Sequence, residues 1–535
     1  MDASERTFDY IVIGAGTAGC VLANRLTANG RFTVLLLEAG PADNYPWIHI
    51  PIGYAKTMFN PRYNWGFHTE AEPELNGRRI YWPRGKVLGG SSSINGLIYI
   101  RGQARDYDLW AQAGNPGWAW KDVLPYFRKL ETNERGPSEL HGGDGPLKCS
   151  DIHERPELME AIIRAGNELG VRTTDDFNGP SQDGVGYYQL FTHNGRRSST
   201  AVCYLKPARK RRNLVVETEA LVSRVLFEGR TATGVAYRHK GAARIARAGR
   251  EVVLAAGAVQ SPPLLEMSGV GQGQLLQDRG VPVVHDLPGV GENMQDHLQF
   301  RLIFRCKKPI TTNDLLKSWR GRLGIGLKYA LSRSGPMAIG INHAGMFTQV
   351  LDESEGPDIQ FHFAALSAEM AGGKTHSFPG FTFSVCQLRP TSRGSVHITS
   401  LEPSDAPSIR PNYLTTDYDW RCALAGVKFA RRLAHADSLK DYTLCEYRPG
   451  PEAETDEHLK EFCRNYGATI FHPAGTCKMG TDNMAVVDPR LRVRGIERLR
   501  VVDCSIMPNL ISGNTNAPVA MIAEKAADMM LDQAS

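Results

Sequence analysis

With 535 residues the chain exceeds the roughly 100–200 expected of one domain, so a single small module is excluded. Its 42% apolar and 22% charged residues are those of a globular protein with a large core, which excludes fibrous and mainly disordered classes. The 62 Lys and Arg against 57 Asp and Glu leave a formal charge of only +5, which speaks against general nucleic-acid binding.

The start, Met1-Asp2-Ala3-Ser4-Glu5-Arg6, lacks the basic-then-apolar order of a signal peptide. No window holds the ~18 uninterrupted apolar residues of a bilayer span. The expectation is a chain that begins here and stays in the cytoplasm without an integral membrane segment, peripheral contact with the inner membrane being the alternative. Ten cysteines are scattered from Cys20 to Cys504 with no CxxC pair and no clustered His partner, so neither a metal site nor a disulfide framework is expected.

The β-branched run Phe8-Asp9-Tyr10-Ile11-Val12-Ile13 predicts a strand, Gly14-Ala15-Gly16-Thr17-Ala18-Gly19 a turn, and Cys20 to Leu26 a helix. Thr33 to Leu37 predicts a second strand, ending at Glu38, nineteen residues after Gly19. In this order the first glycine permits the tight turn, the second lets backbone approach a pyrophosphate, and the third lets helix and strand pack closely. The helix N-terminus offers free N–H groups to phosphate, and Glu38 can accept from both ribose hydroxyls. The motif predicts a dinucleotide site but does not choose between NAD(P) and FAD.

Further on, Arg84-Gly85-Lys86-Val87-Leu88-Gly89-Gly90-Ser91-Ser92-Ser93-Ile94-Asn95-Gly96 is a glycine- and serine-rich loop interleaved with apolar residues. Such a loop lets backbone N–H groups approach the edge of a flat ligand. The basic run Arg209-Lys210-Arg211-Arg212 reads as a solvated turn. Val252 to Ala258 predicts a strand and small-residue turn, followed by a helix closed by Gly269 or Gly271.

The loop from Gly85 through Asp108 and the segment from Gly257 to Gly271 resemble the two signature patterns of the glucose-methanol-choline oxidoreductases, flavoenzymes that oxidise alcohols. Leu287 to His297, Phe471 to Gly480, Val501 to Pro508 and Asn514 to Pro518 match further family segments, so the resemblance runs from residue 8 to about residue 530. It implies FAD and a Rossmann-like α/β cofactor domain joined to a discontinuous α+β substrate domain on an antiparallel sheet. The cofactor domain is expected at 1–155, 210–305 and 465–535, and the substrate domain at 156–209 and 306–464.

The resemblance also implies which residues hold FAD. Gly14, Gly16, Thr17, Ala18 and Glu38 would serve the ADP half, and Val222 the adenine through its backbone. Val87, Gly90, Asn95, Gly96 and Leu97 would line the pyrophosphate and isoalloxazine, with Trp65 nearby. Asp503, Cys504, Asn516 and Pro518 belong to the C-terminal cofactor motifs. Some family members tether the flavin through a His immediately before the loop Asn; here that residue is Ile94, whose alkyl group cannot form the bond, so FAD is expected to be non-covalent.

Alcohol oxidation needs a base for the hydroxyl proton. Among 15 histidines, His472 is favoured because its apolar surroundings disfavour the cation and keep the imidazole available. In the family a His here pairs with a His or Asn near the C-terminus, a position mapped to Asn516, with Asn514 as the competing candidate. The helix expected from Ala517 to Met529 would direct its N-terminus at the flavin.

Between 306 and 464, alternation at Asp358 to Phe363, Phe381 to Cys386 and Ser395 to Ile398 predicts the antiparallel sheet, without saying which face points inward. Arg62-Tyr63-Asn64-Trp65 and His472 to Gly480 are similar to bacterial choline and alcohol dehydrogenases. Choline would need an aromatic cage and a carboxylate, which the sequence does not reveal, so oxidation of a primary alcohol to an aldehyde is the reading, with choline and an aliphatic or aromatic alcohol both left open. The acceptor is left among a quinone, a dye-like compound and O₂, and the oligomeric state is left open. A same-scaffold lyase or decarboxylase and an O₂-using oxidase are the alternatives.

Overall fold

The computed structural model describes residues 5–370 and 372–533; the reading of Met1-Asp2-Ala3-Ser4 lies outside them. Strand β1 (Glu5–Ile13) enters the glycine turn, α1 (Thr17–Leu26) follows, and β2 (Val34–Glu38) returns parallel to β1 with Ile11 opposite Leu35. Gly14 adopts φ +95°, and a Cβ there would lie 2.6 Å from the Ala255 carbonyl oxygen. A Cβ on Gly19 would lie 1.9 Å from the Gly14 carbonyl oxygen, so only glycine lets the helix settle on the turn.

The first sheet runs in the order Leu214–Thr218, β2, β1, Ala242–Leu254, Thr231–His239, Ala220–Glu228, and Leu499–Val501 pairs with Ala242–Leu254. Its centre is parallel, and the last two strands form an antiparallel extension. α1 is buried along nearly its whole length between this sheet and the C-terminal helix Asn516–Asp532. Arg25 donates to both oxygens of the fully buried Glu524 on that helix, and the Tyr204 hydroxyl donates to the same carboxylate at 2.7 Å.

The second sheet is antiparallel, in the order Thr443–Arg448, Leu298–Cys306, Gly380–Gln387, Ile359–Ala364, Ala344–Thr348, Gly184–Tyr187, with Ala468–Thr469 joined to Leu298–Cys306. The expected boundary between 305 and 306 therefore needs correction. Leu298–Cys306 is a central strand of the second sheet, because Phe300, Leu302 and Phe304 pack into that sheet's core.

Register settles which face points where. Phe300, Phe304, Phe361, Phe363, Phe381 and Phe383 share one face, and all but Phe300 form ring contacts, backed by Phe429 of the helix Asp417–Ala434. Gln299, Arg301, Gln360, His362, Thr382 and Ser384 share the other, with Arg301 opposite Ser384 and Ser384 opposite His362.

No described helix is long and apolar enough to cross a membrane. The helix Trp319–Ser332 is nevertheless unusual, burying only Tyr329 while exposing Trp319, Leu323, Leu327 and Leu331. All ten cysteines are free, and among the described residues no His/Cys/Asp/Glu group could hold a metal.

Candidate active site

A cavity of about 640 Å³ lies between the two sheets and takes walls from both. On the first-sheet side, Gly16, Thr17 and Ala18 bring the N-terminus of α1 to it; this helix has no side-chain cap and no acid in its first turn, so its N–H groups and dipole are unspent. A Cβ on Gly96 or Gly257 would meet no protein atom within 4 Å, so these glycines leave the cleft clear beside backbone.

Glu38 ends β2 at the cavity, its Oε2 accepting from the Ala15 N–H and its Oε1 from the Gly40 N–H, both at 2.9 Å. Burial pushes its carboxyl up to about 7 against those two bonds. Each oxygen keeps a lone pair for a ribose hydroxyl. An anion-receptive helix end, a cleared glycine edge and a carboxylate at one ribose distance fit the pyrophosphate and ribose of FAD.

Of the residues expected at the cofactor, Gly14, Gly16, Thr17, Ala18, Glu38, Trp65, Gly90, Asn95, Gly96, Leu97, Val222, Asp503, Cys504 and Asn516 line the cavity, as does Ile94. Val87 and Pro518 do not line it. Val87 is buried against Ile48, Tyr63 and Ile94, and Pro518 lies in the first turn of the C-terminal helix, whose Asn516 and Val519 face the cavity one turn apart. The Asn95 Oδ1 accepts from Arg197 at 2.7 Å, and Asp503 accepts from Gly257 N–H at 2.8 Å and Ser261 Oγ at 2.6 Å, fixing the two loops.

His472 is buried on the cavity wall, and burial holds its imidazole well below the usual value, helped by His297, His362 and Arg84. Its partner is corrected from Asn516 to Asn514: Asn514 Nδ2 lies 3.1 Å from His472 Nε2, whereas Asn516 Oδ1 accepts from Thr17 Oγ1 at 2.7 Å. Asn514 precedes the C-terminal helix, while Asn516 is its first residue and turns toward α1. Gln360 donates to Asn514 Oδ1 at 3.3 Å, which leaves the amide Nδ2 toward the imidazole.

His297 has no role in the reading from sequence, although it stands in the matched segment ending at residue 297. Its Nε2 lies 3.0 Å from the Leu388 carbonyl oxygen, which can only accept, so Nε2 carries the proton. Burial lowers its pKa to about 4, so the ring is neutral and Nδ1 is bare. His472 Nδ1, 3.0 Å away, must then donate to it, and His472 Nε2 is left as an acceptor facing Asn514 and the cavity. His362, within the alternating run Asp358 to Phe363 that offered pocket candidates without a direction, lines the cavity, and so does Arg301, which was not singled out.

Two models described as GMC oxidoreductase match residues 8–299 and 390–523. The chain belongs to the GMC oxidoreductase family. An oxygen-dependent choline dehydrogenase of Paraburkholderia phytofirmans is 46% identical over 97% of this chain and 94% of that one. An alcohol dehydrogenase [acceptor] of Pseudomonas putida is 43% identical over 98% and 96%. Among solved structures, pyridoxine 4-oxidase from Mesorbium loti aligns with TM-score 0.89 at 30% identity, covering 98% of this chain and 99% of that one. Formate oxidase from Aspergillus oryzae aligns with TM-score 0.93 at 27% identity, covering 99% and 98%. The protein is a GMC flavoenzyme, and FAD, not NAD(P), is its cofactor.

Acid precipitation should release intact FAD into the supernatant, since Ile94 offers no atom for attachment; flavin retained in the pellet would contradict this. Glu38→Gln keeps the side chain's shape but replaces one acceptor oxygen by NH₂. At about 1.5–3 kcal/mol for a hydrogen bond to a charged group, FAD affinity should fall about 10- to 100-fold in fluorescence titration, and unchanged affinity would exclude Glu38 as the ribose acceptor.

Proposed function

We propose that the protein oxidises a primary alcohol to an aldehyde, with His472 as general base and Asn514 orienting the substrate oxygen. The carrying observation is the fixed direction of the chain Leu388 carbonyl, His297, His472, Asn514, which leaves His472 Nε2 unprotonated at the cavity. A carbinol at Nε2 gives up its hydroxyl proton there, while the Asn514 Nδ2–H is the donor nearest the oxygen. Bound FAD supplies the acceptor for the carbinol hydride. The aldehyde leaves, and His472 returns its proton to solvent. Relatives named as choline and alcohol dehydrogenases support this class of chemistry.

We also infer that the enzyme rests on an anionic membrane surface through the helix Trp319–Ser332. Trp319, Leu323, Leu327 and Leu331 recur every four residues and are 68%, 52%, 51% and 85% exposed, forming one apolar stripe. Between Asp314 and Asp352 the chain has no acid but carries Lys317, Arg320, Arg322, Lys328 and Arg333. This charge would set cations against cations in a symmetric dimer and suits anionic headgroups. Leu316, Arg322 and Ile325 line the cavity, so the stripe adjoins its wall and favours a lipid-soluble quinone as acceptor.

His472→Ala should keep FAD but slow anaerobic flavin reduction about 10²–10⁴-fold. Asn514→Ala should slow it less, and Asn516→Ala should leave it within a few-fold; the reverse order would restore Asn516 as the partner. Because the depressed pKa keeps His472 neutral, the wild-type rate should stay flat through neutrality and fall only in acid below 6.5. A rate that falls already above pH 7 would name a different base. For the membrane, the holoenzyme should co-sediment with phosphatidylglycerol-containing vesicles, less at high salt, and at least tenfold less as Leu323→Gln/Leu331→Gln. Equal sedimentation of the variant, or self-association that the same variant abolishes, would overturn the membrane reading.

A further inference from the structure

Arg301 lies on the cavity face of the second sheet, opposite Ser384 and in one row with His362. Its Nη1 is buried and has no hydrogen-bond partner among the described residues. The guanidinium groups of Arg197, which is buried, and of Arg84, on the cavity wall, are by contrast spent. Arg197 donates to Asn95 Oδ1 at 2.7 Å and the Ile48 carbonyl at 2.8 Å, and Arg84 donates to the carbonyls of Phe471 and Pro83, both at 2.7 Å.

Carboxylates near Arg301 are also engaged. Glu369 is paired with Arg448 at 2.5 Å and with His376 at 2.8 Å. The acids that line the cavity are Glu38 and Asp503, which hold the cofactor loops, and Glu402 and Asp405, on the segment after Ile398. None lies on the face that carries Arg301. Burial lowers the guanidinium to about 10, with Arg448 adding to the effect and Tyr54 and Glu369 opposing it, so it remains charged at neutral pH.

We propose that Arg301 binds a carboxylate on the end of the substrate remote from the carbinol, making the substrate class a hydroxy-carboxylate and not a quaternary-ammonium alcohol. This rests on the alcohol-oxidation reading above. A guanidinium matches a carboxylate in a two-pronged, charge-assisted geometry, and a buried cation gains most from an anion brought out of water to it. A quaternary ammonium on the same face would meet a like charge. Arg301 stands four residues beyond His297, which immediately precedes the strand Leu298–Cys306, about 13 Å between Cα positions in extended chain. The carboxylate is thus held clear of His472, at the far end of a spacer of several carbons.

The holoenzyme is tested with ω-hydroxyhexanoate, hexanol and choline, following anaerobic flavin reduction. Hydroxyhexanoate should exceed hexanol in kcat/KM about 10- to 100-fold, through KM, and Arg301→Gln should erase that advantage while leaving hexanol within a few-fold. Hexanoate, which has no hydroxyl, should perturb the flavin spectrum of the wild type and not of Arg301→Gln, with FAD occupancy equal in both.

If hexanol reduces the flavin but hydroxyhexanoate is no better and hexanoate does not bind, the inference fails and the alcohol reading stands. Choline as the preferred substrate, undiminished in Arg301→Gln, overturns it equally. If no alcohol reduces the flavin while hexanoate binds only in the presence of Arg301, the carboxylate site stands and the alcohol reading fails.

Discussion

The dipeptide Asp296-His297 controls the His472 imidazole twice, once through its backbone and once through its ring. The buried Asp296 carboxylate accepts from the His472 N–H at 2.8 Å, the Thr469 hydroxyl at 2.6 Å and the Tyr413 hydroxyl at 2.5 Å. Those bonds hold the segment through Phe471, which has φ +72° and whose carbonyl accepts from Arg84. His297, one residue on, fixes which nitrogen of His472 carries the proton. Burial works on both groups in the same sense, raising Asp296 to about 6 and lowering His297 to about 4, since each is pushed toward its neutral form. An acceptor nitrogen oriented this way needs no carboxylate behind it, only a carbonyl at the end of the chain of donors.

The cofactor end is organised by a different constraint, the meeting of two helix N-termini. α1 and the C-terminal helix both begin at the cavity without an acid in the first turn, and the Thr17 to Asn516 bond ties their first residues together. Farther along, the Arg25 and Glu524 pair joins the same two helices, with Tyr204 adding a third contact. Two aligned positive dipole ends would repel each other less once an anion lies between them, so phosphate binding and helix packing support one another.

The glycine turn was legible in sequence because each glycine answers one steric demand: Gly14 and Gly19 meet backbone at 2.6 and 1.9 Å, and no other residue fits. The choice between Asn514 and Asn516 was not legible. The two lie on either side of a helix start, where the chain changes direction, and spacing along the sequence cannot say which side chain turns to His472 and which to Thr17. The wall of the substrate chamber was hidden for a related reason. Every residue of Ile359–Ala364 is buried, because helix covers one face of that sheet and the cofactor domain the other, so alternation gave a strand but no inside. Register with Leu298–Cys306 supplies the missing direction, and that strand had been assigned to the other domain.

Likeness across the whole chain therefore speaks for the cofactor and the class of chemistry more than for the substrate. The groups that serve FAD sit on turns and helix ends that the fold itself requires, whereas the chamber opposite them is one face of a sheet whose side chains can change without disturbing the aromatic core behind. Arg301 is the group on that face hardest to explain by stability. A half-buried cation without a hydrogen-bonded anion costs folding free energy, and a well-packed apolar residue at the same place would remove that cost. Its neighbours show that the fold satisfies guanidinium groups where it uses them structurally, as it does for Arg84 and Arg197 with protein oxygens. A guanidinium on the cavity wall whose Nη1 has no hydrogen-bond partner among the described residues is explained by a ligand that brings the anion with it.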